Sequence, residues 1–450
     1  MVRTQAKIDI EQESGDSALC SAGTAWGFTS ILLFIYVLNW ADKAIIGLAA
    51  QPLAREFGLT TSQIGLLGSA FYLTFTIGGF FAGALHKRFS IKWALLVLAL
   101  VWAAAMAVPV FAVGGFALLV VSRMVLGFGE GPSAALVMSG VYSWHPTRRR
   151  GLPSALAIGS ASIAKIVFAP VLAVVIASWG WRAAFLALVL LTFVWIAIWV
   201  PVWRDGPYAG REEERTRHDD GSNGVADVRS VPWRRIFLTR SFAGGVVAML
   251  AAYSTTAAML TFLPTYFQVG LGVSQQTSGT LLAVVGAIGL AISLSVGFVG
   301  DQLMARGTSS RLTRGIVPGT LMLIGGILFI SLYFQPGPFR GVVVYSIGMA
   351  FIALTVPVLS AGLSEIAPPR QTAGALGVFM GIMYVGALVT PYALGVIVDS
   401  ATSPAAGWGA ALAALGVFAL VGGLCTLVFF NPPRDALRVR ETETAKQLFQ

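Results

Sequence analysis

Residues 26–49 have the sequence WGFTSILLFIYVLNWADKAIIGLA, and this stretch sets the fold of the chain. At about 1.5 Å per residue, an α-helix of this length is long enough to cross the roughly 30 Å hydrocarbon core of a bilayer. Two adjacent charged residues, Asp42 and Lys43, stand in its second half. Charged side chains inside a membrane helix are rare and mark functional positions. The stretch therefore predicts a transmembrane helix that carries part of a polar site.

Apolar runs of similar length recur along the whole chain. Apolar residues make up 56% of the sequence and charged residues 11%, whereas soluble proteins carry about 25% charged residues. This composition excludes a soluble fold and a disordered chain. The two cysteines, Cys20 and Cys425, are too few and too far apart for a disulfide framework or a zinc site. We predict an all-α polytopic membrane protein with twelve transmembrane helices, and a kink or partial break in the eleventh at Pro391. The predicted spans are 26–49, 62–85, 92–113, 116–142, 152–178, 183–203, 241–264, 277–299, 315–334, 341–363, 372–398 and 407–430.

The basic residues predict the orientation of these spans. Of the 30 Lys and Arg residues, 24 fall in the two tails and the loops on the same side, three in loops on the other side, and three inside spans. Because Lys and Arg concentrate in cytoplasmic loops, we expect both termini in the cytoplasm. The high Arg and Ala content favours a bacterial source, so we expect a multi-pass protein of the bacterial cytoplasmic (inner) membrane. The net charge of +10 follows from this topology, and we expect no nucleic-acid partner.

The two halves of the chain repeat each other. The segment 58–65 (GLTTSQIG) is echoed by 272–279 (GVSQQTSG) at an offset of 214 residues, and 83–87 is echoed by 297–301 at the same offset. Such repeats are typical of secondary transporters, whose halves rock around a site near the bilayer midplane. We therefore predict two pseudo-symmetric six-helix bundles around a central cavity. The predicted parts are a cytoplasmic N-terminal tail (1–25), an N-terminal bundle (26–203), a cytoplasmic linker with an interfacial helix (204–240), a C-terminal bundle (241–430) and a cytoplasmic C-terminal tail (431–450).

Several motifs resemble those of the major facilitator superfamily. Its G-x-L-x-D-R-x-G-x-[RK] motif is matched after the second span by Gly83, Leu85, Arg88 and Lys92, with Lys87 and Ser90 in place of the acid and the second glycine. The C-terminal copy keeps its acid as Asp301. The resemblance implies the twelve-helix fold and gating roles for Arg88 and Asp301.

The fourth span narrows the resemblance to one branch. Arg123, Gly127 and Glu130 are similar to the R-x-x-x-G-x-x-E pattern of the anion:cation symporter family. Asp42-Lys43 resembles the family's acid-plus-arginine pair, with lysine in place of arginine. This branch includes bacterial carriers of sugar acids and aromatic acids, and vesicular carriers of glutamate and sialic acid. The resemblance implies transport of an organic anion with an inorganic cation.

Five ionisable residues lie inside predicted spans, and all five belong to the N-terminal half. They are Asp42, Lys43, Arg123, Glu130 and Lys165. At about +2.5–3.5 kcal/mol each, they would cost on the order of 10–15 kcal/mol unless paired or hydrated. A charged, water-accessible cavity accounts for them. Counting residues along the spans puts Arg123 and Asp42 at a similar depth, where they could form an ion pair, and puts Lys165 near the depth of Glu130.

These depths lead to predicted roles, each with an alternative. Glu130 is the expected site of the coupling proton, or a static partner of a lysine. Asp42 is either a second proton site or the ion-pair partner of Arg123. Arg123 either gates the cavity or donates hydrogen bonds to backbone carbonyls. Lys43 and Lys165 are expected to bind the substrate carboxylate, although Lys43 could instead extend to the interface. The expected aromatic lining of the cavity is Tyr36, Trp40, Tyr253 and Tyr384.

Together these features predict a proton symporter that imports a small organic carboxylate. Two acids and two lysines fit this function, because cations bind the carboxylate and buried carboxyl groups can take up protons. We expect no cofactor other than the coupling ion, with Na⁺ as an open alternative to H⁺, membrane lipid as the surroundings, and a monomer. One rival is a drug/proton antiporter, but the G-P-x-x-G-G run typical of that class is replaced by Ala169-Pro170-Val-Leu-Ala173. A second rival is a transporter-like sensor, whose added signalling domain would not fit the short tails and linker. An enzyme is not expected, because the sequence offers no catalytic constellation.

Overall fold

The computed structural model describes residues 21–111, 114–146, 149–209, 231–334, 337–368 and 371–439. Within these ranges the chain is helical, without a β-strand, and twelve segments are long and apolar enough to cross a membrane. The predicted all-α fold with twelve spans is therefore confirmed. Numbered in chain order, the spans are Ala22–Phe57, Thr61–Phe80, Ile91–Phe111, Gly115–Trp144, Gly151–Trp179, Trp181–Val202, Arg240–Gly270, Gln275–Ala305, Leu312–Phe334, Pro338–Ile366, Thr372–Asp399 and Pro404–Phe429.

Local sequence explains where the first two spans begin and end. The first span starts behind Ser21, whose hydroxyl accepts a hydrogen bond from the Thr24 amide. It continues through Pro52 and ends at Gly58, which has φ +63°, a conformation that glycine adopts without strain. The second span begins with a capping box of Thr60 and Gln63. The first span is thus longer at both ends than its apolar run of 26–49.

Two spans are interrupted near their middle, and the interruptions are not where the sequence predicted one. The fourth span consists of helices Gly115–Glu130 and Ser133–Trp144, and the tenth of Pro338–Ala353 and Thr355–Ile366. Of the kink or partial break predicted in the eleventh span, the break is wrong, because helix Thr372–Asp399 continues through Pro391. Proline removes one backbone hydrogen bond, and packing against a neighbouring helix can keep such a span intact.

Shorter helices lie outside the spans. Helix Ala82–Arg88 follows the second span, and helix 432–439 follows the twelfth. Helix Trp233–Phe237 stands where the sequence predicted an interfacial helix in the linker. The rest of the predicted linker at 210–230, the N-terminal tail up to residue 20 and the C-terminal tail from 440 lie outside the described residues.

The helices pack as two bundles that follow the same plan. In the N-terminal bundle the first span packs on the fifth and sixth, the second on the fourth, and the third on the sixth. In the C-terminal bundle the seventh span packs on the eleventh and twelfth, the eighth on the tenth, and the ninth on the twelfth. Each of these pairs matches a pair six spans earlier. The bundles meet where the second span contacts the eleventh, the fifth contacts the eighth, and the first contacts the seventh.

Several contacts between the bundles cluster on one face of the molecule. We call the face that holds Ala22 and Phe429 the terminal side, and the face that holds Gly58 and Ser400 the distal side. On the distal side the carboxylate of Asp399 accepts hydrogen bonds from the backbone amides of Thr61 (2.9 Å) and Ser62 (2.8 Å). These are the first amides of the second span, where a helix favours an anion. The contact joins the second span of one bundle to the eleventh span of the other.

Two glycines allow this distal contact to be close. Gly65 of the second span lies against the backbone carbonyl of Pro391, and Gly395 of the eleventh lies against the backbone of Ser62. A Cβ atom at either position would overlap main-chain atoms, which cannot rotate away. Further contacts run from the backbone amide of Tyr392 to the Ser69 hydroxyl (3.2 Å) and from the Gln275 amide group to the Leu48 carbonyl (2.9 Å). The bundles are therefore joined backbone to backbone on the distal side.

We predict that Gly65→Ala separates the bundles on the distal side. Its Cβ atom would overlap the Pro391 carbonyl, and overpacking of this kind costs about 1–3 kcal/mol, enough to shift a closed-to-open equilibrium about fivefold or more. A cysteine introduced at position 62, in a chain lacking Cys20 and Cys425, should then react faster with a maleimide. Gly159→Ala is the matched control, because nothing lies within 4 Å of a Cβ atom there. Equal labelling rates in both variants would contradict the prediction.

Candidate functional site

Lys43 and Glu130 form a buried ion pair between the first and fourth spans. Lys43 Nζ lies 2.6 Å from Glu130 Oε2, and the two side chains are 4% and 0% exposed. Two glycines near Glu130 place the fourth span tightly on the second, because Gly127 and Gly131 lie against the backbone carbonyls of Phe71 and Phe75. The sequence predicted Glu130 as a proton site or the static partner of a lysine, and the structure identifies Lys43 as its partner.

The Lys43 ammonium has several other neighbours. The Asn39 side-chain oxygen accepts a hydrogen bond from Nζ at 2.5 Å, from one turn earlier in the same helix. Aromatic rings surround the remaining directions, with Nζ 5.1 Å from the ring centres of Trp40 and Phe75 and 5.8 Å from that of Phe71. Ring faces attract a cation, most strongly where water is excluded. Lys43 is thus held inside the molecule and does not extend to the interface.

Arg123 and Asp42 lie together, but they do not form the predicted ion pair in this conformation. The Arg123 guanidinium donates to the backbone carbonyl of Asp42 (3.4 Å) and to the Met106 sulfur (3.7 Å), and it lies 5.3 Å from the ring centre of Phe185. Asp42 Oδ1 is buried and has no hydrogen-bond partner among the described residues. Counting residues along the helices placed the two residues at a similar depth in the membrane. The count could not give the direction in which the Asp42 side chain points. The alternative role of Arg123, bonding a backbone carbonyl, is the one observed.

Lys165 of the fifth span lies at another contact between the two bundles. Its Cβ would be 3.0 Å from a Cβ atom built on Gly286 of the eighth span, so it belongs to the contact between the fifth and eighth spans. It is half-buried, and no ion-pair partner for it is found in the described part of the chain. Glu130, which counting along the spans placed at a similar depth, is paired with Lys43. Binding of the substrate by Lys165 therefore stays a prediction.

Tyrosines from both bundles meet beside the ion pair. The ring centres of Tyr253 and Tyr384 are 4.9 Å apart, Tyr253 lies 6.1 Å from Tyr72, and Phe75 lies 5.2 Å from Tyr384. The structure thus brings the predicted Tyr253 and Tyr384 together. Tyr72, which is 3% exposed, also belongs to this group but was not predicted from the sequence. It stands in an apolar run that gives no sign of a polar neighbour. Predicted Tyr36 is half-buried and lies one turn from Trp40 on the first span.

A small cavity separates this cluster from the distal contacts. Its volume is about 10 Å³, which is room for about one water molecule. Residues of the first, second, fourth and seventh spans line it, including Lys43, Tyr72, Arg123 and Thr261. Gly68 of the second span approaches the Thr261 side chain here. A Cβ atom built on Gly68 would lie only 2.7 Å from the Thr261 hydroxyl oxygen. The charged cluster therefore lies directly behind the distal closure.

Arg88 and Asp301, to which the motif resemblance assigns gating roles, lie away from the cluster. Arg88 ends helix Ala82–Arg88, and Asp301 stands in the last part of the eighth span; both are exposed. Neither forms an ion pair with another described residue. Their gating roles, which the motif resemblance implies, stay predictions.

We predict that the Lys43–Glu130 pair governs the stability of the N-terminal bundle. Lys43→Gln would leave a buried carboxylate without its cation, and breaking a buried pair costs about 3–5 kcal/mol. The double variant Lys43→Gln/Glu130→Gln removes both charges and should recover most of the loss. Thermal unfolding in detergent at pH 7 measures both effects. A double variant no more stable than Lys43→Gln alone would contradict the importance of the pair.

Asp42→Asn should behave differently from the loss of an ion-pair partner. The Arg123 bond goes to the Asp42 backbone, which the substitution retains. Replacing a buried carboxylate that has no cation bonded to it removes a desolvation cost. We expect the unfolding temperature at pH 7 to equal or exceed that of the unsubstituted protein, whereas Arg123→Gln should lower it. An unfolding temperature of Asp42→Asn as low as that of Arg123→Gln would show that the Asp42 carboxylate has a partner.

The chain is similar over most of its length to bacterial transporters. The probable sulfoacetate transporter SauU of Cupriavidus necator is 28% identical over 409 residues, covering 89% of this chain and 93% of that protein. The probable galactarate/D-glucarate transporter GarP of Escherichia coli is 26% identical (88% and 93% covered), and the hexuronate transporter of Bacillus subtilis is 22% identical (88% and 91% covered).

Solved structures of similar fold are also transporters. A bacterial homologue of the human lysosomal transporter Spinster, in an inward-facing and unoccupied conformation, aligns with a TM-score of 0.75 at 16% identity over 94% of this chain and 99% of that chain. The D-xylose-proton symporter aligns with a TM-score of 0.71 at 16% identity over 91% and 99%. Residues 32–391 match the sequence profile of the Major Facilitator Superfamily. The chain therefore belongs to the Major Facilitator Superfamily.

Proposed function

We propose that this protein imports a small organic anion together with a proton, by alternating access of one central site to the two sides of the membrane. The observation that carries the proposal is the buried ion pair of Lys43 and Glu130. Lys43 is the cation in the centre of the N-terminal bundle that an entering anion would meet. The Glu130 carboxylate is already paired with this ammonium, so an entering anion must displace it.

This competition couples the anion to a proton. If an anion took Lys43 while Glu130 stayed ionised, the Glu130 carboxylate would be left buried and unpaired. That costs about 3–5 kcal/mol, which disfavours anion binding by about two to more than three orders of magnitude. A proton on Glu130 removes the cost, because the neutral carboxyl group no longer needs the ammonium. Binding of the proton and of the anion therefore support each other.

The contacts between the bundles support access from one side at a time. The distal contacts of Asp399 with the second span, and of Gly65 with Pro391, seal the site from the distal face. Substrate would thus enter or leave this conformation from the terminal side, where the predicted topology places the cytoplasm. Release of the distal contacts would expose the same site to the other face.

The relatives indicate the chemical class of the substrate. Their names refer to sulfoacetate, hexuronate and galactarate or D-glucarate, which are small organic acids with one or two anionic groups. Lys43 would bind one anionic group. Lys165, Tyr253 and Tyr384 are the candidates for contacts with the rest of the molecule, and Asp42 is a second candidate proton site. The sequence expectations of a proton as coupling ion, a monomer, and cytoplasmic termini in a bacterial inner membrane are part of this proposal.

Glu130→Gln tests the coupling directly. Glutamine resembles the protonated carboxyl group, so the variant should lose accumulation driven by a pH gradient but keep exchange of preloaded substrate in proteoliposomes. Sulfoacetate, glucuronate and galactarate form the first substrate panel. Glu56→Gln is the control, because Glu56 forms an exposed pair with Arg182 on the distal side, where such pairs contribute little. Continued accumulation against a gradient by Glu130→Gln would move the proton site to Asp42.

A further inference from the structure

Asn39 is a buried polar side chain to which neither the motifs nor the coupling scheme assigns a role. It is 1% exposed, and its side-chain oxygen accepts a hydrogen bond from Lys43 Nζ at 2.5 Å. Its side-chain nitrogen Nδ2 faces the Glu130 carboxylate but does not form a regular hydrogen bond with it. A buried amide is stabilised by the hydrogen bonds that it forms. The bond to Lys43 is therefore the best-formed polar contact of this side chain.

Asn39 and Glu130, the two polar side chains that bind the Lys43 ammonium, belong to different spans. Asn39 stands four residues before Lys43, so the two lie one turn apart on the same face of the first span. Glu130 approaches the ammonium from the fourth span. A partner on the same helix moves with Lys43 when spans shift against each other, whereas a partner on another helix need not.

The chemistry of the two partners also differs. A carboxylate loses its charge when it takes up a proton, but an amide oxygen accepts hydrogen bonds regardless of pH in the working range. After Glu130 is protonated, the ammonium would keep the Asn39 oxygen and the ring faces of Trp40 and Phe75. A hydrogen bond to a charged group is among the stronger ones in a protein interior.

We propose that Asn39 is a positioning residue, which keeps the Lys43 ammonium oriented toward the substrate anion after Glu130 has taken up the proton. The inference rests on the proposed function, because it assumes that Lys43 binds the anion. Asn39 acts through Lys43 in this scheme, and it leaves the ammonium one direction in which to accept a new anionic partner. Removing the amide should therefore weaken anion binding in the state where Glu130 is neutral.

The test is a double-mutant cycle on anion affinity. Asn39→Leu has a similar size without polar atoms, and Asn39→Ala is the second variant if Asn39→Leu does not fold. Affinity for the best-bound acid of the panel is measured by calorimetry in the Glu130→Gln background, which fixes the neutral state. We expect binding at least about tenfold weaker with Asn39→Leu. In a chain that also carries Lys43→Gln, the same substitution should cause no further loss. Thr192→Val, a buried hydroxyl bonded to the Leu188 carbonyl of its own helix, is the matched control.

The outcomes separate this inference from the function on which it rests. An unchanged affinity in Asn39→Leu, together with a large loss in Lys43→Gln, would overturn the positioning role and leave the proposed function standing. An equal loss from Asn39→Leu with and without Lys43 would also overturn it, because the residue would then act on the site as a whole. An unchanged affinity in Lys43→Gln would overturn the binding role of Lys43 and the inference with it.

Discussion

The ion pair of Lys43 and Glu130 is the constraint on which the rest of the site depends. Each charge alone would be expensive in a protein interior that faces lipid, and the two together are tolerable only at contact distance. Contact requires the fourth span to lie tightly against its neighbours, and Gly127 and Gly131 provide this by leaving no side chain between backbones. The R-x-x-x-G-x-x-E pattern of the fourth span therefore contains both the charged Glu130 and the small Gly127, which lets the helices approach closely enough for Glu130 to reach Lys43.

The two bundles contribute different chemistry to the centre. The five ionisable residues that lie away from the span ends all belong to the N-terminal bundle, while the C-terminal bundle supplies Tyr253 and Tyr384 to the centre. Moving aromatic rings and hydroxyl groups between water and the protein interior costs less free energy than moving charged groups. A bundle that moves against the charged one during each transport cycle therefore gains from carrying no charge at the central part of the moving surface, where Tyr253 and Tyr384 lie. The pseudo-symmetric plan of helix packing is kept, and only the side chains differ.

Much of the fold could be predicted from the sequence, because the bilayer limits what the backbone can do. Long apolar runs must be helices, and twelve such runs gave twelve spans. The partial break at Pro391 was wrong since proline removes only one hydrogen bond, and the contact of Gly65 with the Pro391 carbonyl depends on tertiary packing. The interruption after Glu130 was missed for a similar reason, although Gly131 and Pro132 were visible in the sequence.

The sequence identified buried charged candidates for the site, but not how they pair. Counting residues gives the depth of a side chain along its helix, and it correctly put Asp42 near Arg123. Adjacent residues point about 100° apart around a helix, so depth alone does not decide which of Asp42 and Lys43 faces the fourth span. The structure turns Lys43 toward Glu130 and offers Arg123 only the Asp42 backbone carbonyl. Asn39 and Tyr72 escaped attention because a single uncharged polar residue in an apolar run carries little information by itself.

The two cations between the first and fourth spans consequently differ in what holds them. Arg123 donates to a backbone carbonyl, which has no titratable group, so this link between the spans persists whatever the protonation of the acids. Lys43 faces a carboxylate that can be neutralised, with ring faces and an amide oxygen around it. The forked guanidinium suits a fixed contact with several acceptors, and the compact ammonium suits exchange of one anion for another. The helix contact can therefore stay in place while the charge partner changes, which is the separation of tasks that a coupled carrier needs.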